Sequence, residues 1–131
     1  MRQYSGEQYI FNGAVAASTG QSYFVADMKH ILLTLASASS ANFTIKFQGS
    51  QSDTAPDFSS ARSVTNRWEY INFRDYQDNS SIAGDTGVTF AGTDDVRMFE
   101  INTNGLKWVC ATITARSAGA ITLLLQTYSN Q

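Results

Sequence analysis

The sequence predicts an all-β protein: an antiparallel β-sandwich, jelly-roll-like, of about eight strands. Two observations carry that expectation. Phe43, Ile45 and Phe47 alternate with Thr44, Lys46 and Gln48, the period-two pattern of a half-buried strand. Comparable short apolar or aromatic runs recur along the chain, separated by glycine, serine and aspartate turn chemistry.

Residues 1–20 are polar and glycine-spaced, with aromatic points at Tyr4, Tyr9 and Phe11. They form either a first strand around 9–15 or an arm that orders against a partner. Residues 21–131 then make a single β-sandwich domain. A short strand is expected over 22–26. The apolar run 30–36 has apolar residues on both faces, and its serine-rich flank favours a strand over a helix. The strand over 41–48 follows. Residues 49–65 form a long turn-like stretch holding the only proline, with Phe58 as its anchor. Strands are expected at 67–73 and 87–91, with polar turns between them.

The C-terminal third reads as three consecutive strands, 96–102, 106–115 and 120–128. Asn104-Gly105 joins the first two, the residue pair of a type I′ hairpin turn. A two-residue loop there sets Ile101 opposite Trp108 and Phe99 opposite Cys110. The other face then carries Val96, Met98, Val109 and Ile113. A sandwich strand ordinarily has one core face and one wet face. An apolar second face implies a second packed layer or another chain; the plain alternative is β-propensity with imperfect patterning. A one-residue slip would exchange the two faces. The candidate partner-binding residues are therefore Val96, Met98, Val109 and Ile113, with Tyr4, Tyr9 and Phe11 from the N-terminal segment.

Composition narrows the function classes. Hydrophobic residues make up 43% and charged ones 15%, which argues against disorder. Net charge is −2 and the basic residues are scattered, so there is no electrostatic footprint for nucleic acid. No apolar run approaches the length of a membrane span. The start Met1-Arg2-Gln3-Tyr4 lacks an apolar signal core, so folding in a cytoplasm is expected.

Chemistry-bearing residues are sparse. The single cysteine, Cys110, excludes an intrachain disulfide and reads as a small buried hydrophobe. His30 is the only histidine and stands at the start of an apolar strand, without a nucleophile motif. Glu100 lies mid-strand, facing outward or paired with Arg97 or Lys107. Asp85, Asp94 and Asp95 offer oxygen ligands for calcium, but aspartate in turns commonly serves local hydrogen bonding. Trp68, Tyr70, Tyr76 and Trp108 are either an aromatic sugar platform or, for the two tryptophans, core anchors. The expectation is a non-enzyme with no catalytic residue, no cofactor and no metal.

Three segments and a closing turn carry a family resemblance. They are Phe47-Gln48-Gly49-Ser50-Gln51, Gly84-Asp85-Thr86-Gly87-Val88, the run from Phe99 to Trp108, and Ser117-Ala118-Gly119-Ala120. In organisation, over residues 25–128, the chain resembles the small β-sandwich or jelly-roll virion proteins of tailed bacteriophages. The resemblance implies a bacteriophage structural protein, most simply a capsid decoration or stabilising (cement) subunit that binds the major capsid protein. It implies a homo-oligomer, a trimer being favoured, at the capsid surface of the virion after synthesis in the host cytoplasm. Neither a nucleic-acid nor a membrane partner is expected. The alternative is a carbohydrate- or receptor-binding module of a tail or fibre, for which a glycan is the partner. The resemblance assigns no functional residues.

Overall fold

In the computed structural model the described residues are 2–103 and 105–130. They form ten strands and no helix. These are β1 (Arg2–Tyr4), β2 (Gln8–Ala14), β3 (Tyr23–Phe24), β4 (His30–Ser50) and β5 (Glu69–Tyr70). Then come β6 (Phe73–Asp75), β7 (Ser81–Ile82), β8 (Val88–Ala91), β9 (Val96–Asn102) and β10 (Trp108–Asn130). Every strand pairing is antiparallel.

The fold is organised by one ribbon, β4 against β10. It runs from Trp108 opposite Ser50 to Tyr128 opposite His30. The free edge of β10 is covered by the N-terminal segment, with β1 and β2 on its far half and β3 on its near half. Residues 18–20 add backbone bonds from Gly20 N–H to Ala111 O and from Ile113 N–H to Ser18 O, both 2.8 Å. The free edge of β4 is covered by β9 on its first half and by β8 and β5 on its second. β6 and β7 extend the sheet beyond β9. Both long strands are thus paired on both sides, which removes the edge hazard of the two most apolar segments.

The ribbon cannot be straight. Asn102 pairs with His30 at one end of β4, and Trp108 pairs with Ser50 at the other. The six-residue step between them spans at most roughly 22 Å. A straight strand of the length of β4 would reach about 70 Å. The ribbon must therefore fold over near its middle, and local geometry marks the place. Ser39 and Ser40 take left-handed φ values of 66° and 54°, and Gly119 takes 81°. The register shifts between Ile113 and Ala120 lie opposite them. Bulges of this kind bend a strand and raise its twist. At Gly119 a Cβ would fall 2.4 Å from Ala41 Cα, so only glycine lets the strands approach.

Folding the ribbon stacks its halves over one core. Ile31, Leu33 and Leu35 come from the first half of β4, and Phe43, Ile45 and Phe47 from the second; all are buried. Phe47 meets Phe73 edge-on with centroids 4.7 Å apart and lies 6.1 Å from Phe99, which is paired with Leu33 in the other layer. Ile10, Phe11, Val109, Ile113, Ile121 and Leu123 complete the same core.

The all-β antiparallel class is as the sequence predicts, and strands 96–102 and 88–91 fall close to expectation. Several expectations change. The hairpin between 96–102 and 106–115 does not form: β9 pairs with β4 and β6, and β10 pairs with β4. Asn104 lies outside the described residues. The connection instead crosses between layers, held by Thr103 N–H to Lys29 O at 2.9 Å and Lys107 N–H to Ser50 O at 2.8 Å. The expected break at 116–119 is a bend inside β10, and 30–36 and 41–48 are two arms of β4. Serine and glycine at those points signal a corner as readily as a loop. Conversely, 67–73 is interrupted between β5 and β6.

Candidate functional site

The two layers differ on their outer sides. In the layer built from β2, the far half of β10, the first half of β4 and β9, the outward residues line up in rows. Tyr9 stands opposite Leu124, Leu124 opposite Thr34, and Thr34 opposite Met98. Tyr76 continues this row through its N–H bond to Met98 O at 3.1 Å. A flanking row sets Thr122 opposite Ala36 and Ala36 opposite Val96. Tyr9, Met98 and Val96 are 51%, 54% and 57% exposed. A shallow hollow of about 160 Å³ opens between Leu32, Thr34, Met98, Leu124 and Tyr76. Large apolar side chains bare on a sheet face, next to each other, are the mark of a contact surface.

A polar cluster borders this row. Glu100 faces outward opposite Leu32. Its Oε2 accepts Tyr128 Oη–H at 3.0 Å and Tyr76 Oη–H at 3.1 Å. Its Oε1 is paired with Arg74. His30 Nδ1 lies 3.5 Å from Oε2, and the His30 ring stacks on Tyr128 at 4.8 Å and 13°. Tyr4 covers the Tyr128 ring from the edge, with centroids 5.4 Å apart. Burial first, and then the Glu100 carboxylate, push the Tyr76 phenol up to about 12. The cluster is a closed set of donors around one carboxylate. His30 packs against the cluster through its ring, its buried Nδ1 making no hydrogen bond, and Glu100 takes Arg74 as its partner in place of Arg97, which pairs with Asp75, or Lys107, which pairs with Asp53.

The seven sequence-predicted contact residues separate cleanly. Tyr4, Tyr9, Val96 and Met98 share this one outer face and are exposed. Phe11, Val109 and Ile113 are buried in the core of the chain itself. The assumed hairpin register put Val109 and Ile113 beside Val96 and Met98; with β9 paired to β4 instead, they point inward from the other layer. Leu32, Thr34 and Leu124 also belong to the face without being among the expected contact residues, and so does Tyr76, expected only as part of an aromatic platform. Their signal was present in the apolar character of 30–36 on both its faces and in the unbroken Leu123-Leu124-Leu125.

The other candidate chemistry resolves differently. Cys110 is buried, and burial pushes its thiol up to about 12. Asp94 and Asp95 cap backbone N–H groups of Ser40 and Val96, both at 2.8 Å. The four aromatic residues do not form one platform. Trp68 meets Tyr70 edge-on at 5.1 Å, Trp108 meets Phe24 edge-on at 5.1 Å, and Tyr76 belongs to the Glu100 cluster. Phe58 is buried and anchors the long loop as expected. Beside that loop, a groove of about 910 Å³ runs between Arg62, Val64, Trp68, Ile71 and Leu106.

No protein-family model matches the chain, and no curated protein matches it in sequence. Solved structures that share its fold include two phage-related ones. The SPBc2 prophage-derived protein YomS superposes with a TM-score of 0.68 at 14% identity, covering 98% of this chain and 96% of YomS. The PBSX exported protein XepA gives a TM-score of 0.71 at 16% identity over 98% of this chain, which spans 38% of XepA. At such identities the likeness is one of fold. The structural neighbours are phage-derived proteins.

Proposed function

We propose that the protein is a non-enzymatic bacteriophage virion structural protein. In that role it decorates and stabilises the capsid, binding the major capsid protein as a homo-oligomer, most simply a trimer. The observation that carries this reading is the row Tyr9, Leu124, Thr34, Met98 and Tyr76, in which Tyr9, Met98 and Tyr76 are exposed and Leu124 is half-buried, flanked by exposed Val96. Burying such a row gains about 25 cal/mol per Å² of apolar surface removed from water. The fold shared with phage-derived proteins supports the setting. The Glu100 cluster beside the row supplies fixed polar groups at the rim, which suits orientation more than affinity.

Light scattering of the full-length chain, alone and with empty capsids, tests the proposal. A stable oligomer that sediments with shells is expected. The pair Met98→Lys and Val96→Lys should abolish shell binding or assembly while the folded chain persists. A wild-type chain that stays monomeric and ignores shells overturns the reading.

A further inference from the structure

A trough crosses the end of the two-layer fold that lies away from the bend of the ribbon, where the strand ends His30, Asn102, Ser50 and Trp108 gather. The 910 Å³ groove beside the long loop and a second hollow of about 580 Å³ share Ile71 and Leu106, both half-buried, as the saddle between them. The saddle packs down on Gly49, where a Cβ would meet Leu106 Cδ2 at 3.0 Å and Ile71 Cδ1 at 3.1 Å. Beyond it the second hollow is rimmed by exposed Asn72 and Asn79. One wall of the groove is a stapled lip. Ser63 and Asn66 exchange backbone bonds of 3.0 and 3.1 Å and close a tight turn around Val64. Asn66 ties that turn down: its Oδ1 accepts Asp57 N–H at 2.8 Å, and its Nδ2 donates to Asp57 O at 2.9 Å and Ala61 O at 3.0 Å. Val64, 84% exposed, is thus held beside the groove with little entropy left to lose on contact.

Arg67 supplies the charge. Its backbone is fixed, Arg67 O accepting Ser50 Oγ–H at 2.6 Å, and its side chain is exposed. Among the described residues it forms no ion pair, and its guanidinium makes one long hydrogen bond, from Nη1 to Val64 O at 3.5 Å. Asp53, which feels its charge, is held by Lys107. The other cation of the groove, Arg62, is paired with Glu69 and stacked on Trp68 and Tyr70. A guanidinium fork suited to a carboxylate therefore stands unpaired at the wall of an apolar groove.

We propose that this trough binds an extended segment of a protein partner that carries a carboxylate between apolar side chains. The apolar side chains lie on Ile71 and Leu106 against Val64, the carboxylate takes the Arg67 fork, and the amides of Asn72 and Asn79 meet the backbone of the segment. A chain segment fits better than a small molecule, because the two joined hollows together exceed the roughly 300–1,000 Å³ of small-molecule sites. The trough shares no residue with the apolar row, so it stands whether or not that row binds a shell.

Methyl and arginine side-chain resonances of the full-length protein, followed during titration with acetylated and amidated pentapeptides, test this. One set has Asp at the centre and Val, Leu, Ile or Phe on both sides; the matched set has Asn at the centre. The Asp set should shift the Val64, Ile71 and Leu106 methyls and the Arg67 Nε–H saturably, and the Asn set should bind about fivefold more weakly. Arg67→Gln, a change at an exposed side chain, should remove that preference. Val64→Asp should weaken binding of both sets while the backbone spectrum stays that of the folded chain. The assignment is overturned by no saturable shift with the Asp set, by equal binding of the two sets, or by a preference that survives Arg67→Gln. An Arg67 shift that acetate alone reproduces while the methyls stay in place overturns it as well.

Discussion

The two halves of the β4–β10 ribbon share a core and part company on their outer faces. On the second half, the outward positions are Thr44, Lys46, Gln48, Trp108, Cys110, Thr112 and Thr114, and the loop anchored by Phe58 lies over part of them. On the first half they are Leu32, Thr34, Ala36, Thr122 and Leu124, with Met98 and Val96 beside them, and no loop covers that face among the described residues. A solvated sheet face is ordinarily polar. The contrast therefore separates a mostly polar face, partly covered by the chain's own loop, from a mostly apolar one.

The comparison can be broken at its shared centre. Phe99 is fully buried against Phe73 at 5.2 Å and lies 6.1 Å from Phe47, so it ties the layers together. Phe99→Ala should cost about 3–5 kcal/mol, read as a lower denaturant midpoint. The hinge of the ribbon comes next. Gly119→Ala combines a left-handed φ with a clash against Ala41 and should cost about 2–4 kcal/mol, measured the same way.

Alkali sharpens the comparison more gently. Tyr76 titrates in the folded state at about 12, against 10.0 when unfolded, and Cys110 at about 12, against 9.0. Both groups hold their protons more tightly when folded. The stability they contribute is complete below pH 9 and is lost as pH rises from there toward 12. Tyr76→Phe should flatten the part of that decline above pH 10, seen in thermal melts across the range. Cys110 should resist thiol reagents at pH 8 until the chain is unfolded. The smallest effect is expected on the bare face: Met98→Lys and Val96→Lys should each leave the monomer's stability within about 0.5 kcal/mol. A large loss there would mean that the face is already buried within one chain.

Local chemistry explains what was legible in the sequence. The alternation of Phe43, Ile45 and Phe47 gave one strand and its inner face, because period-two burial is written residue by residue. The partner of β9 was not legible. Asn104-Gly105 favours a tight hairpin, but the preference of one turn is outweighed by the pairing of a whole strand with 30–36 in the other direction. That error in pairing alone moved Val109 and Ile113 from the core to the expected contact face. Tyr4, Tyr9, Val96 and Met98 are exposed as expected, whereas Phe11, expected with them, is buried.

The dependence on β10 extends to how the chain comes into being. β1, β2, β3 and β4 all bond to a strand that begins at Trp108. A chain emerging from the ribosome exposes Phe43, Ile45 and Phe47 long before their partners Ala111, Ile113 and Arg116 exist. Its contact order is that of a slow, all-β folder. Folding must therefore await the synthesis of β10, and a nascent chain paused before residue 108 is the form most exposed to aggregation.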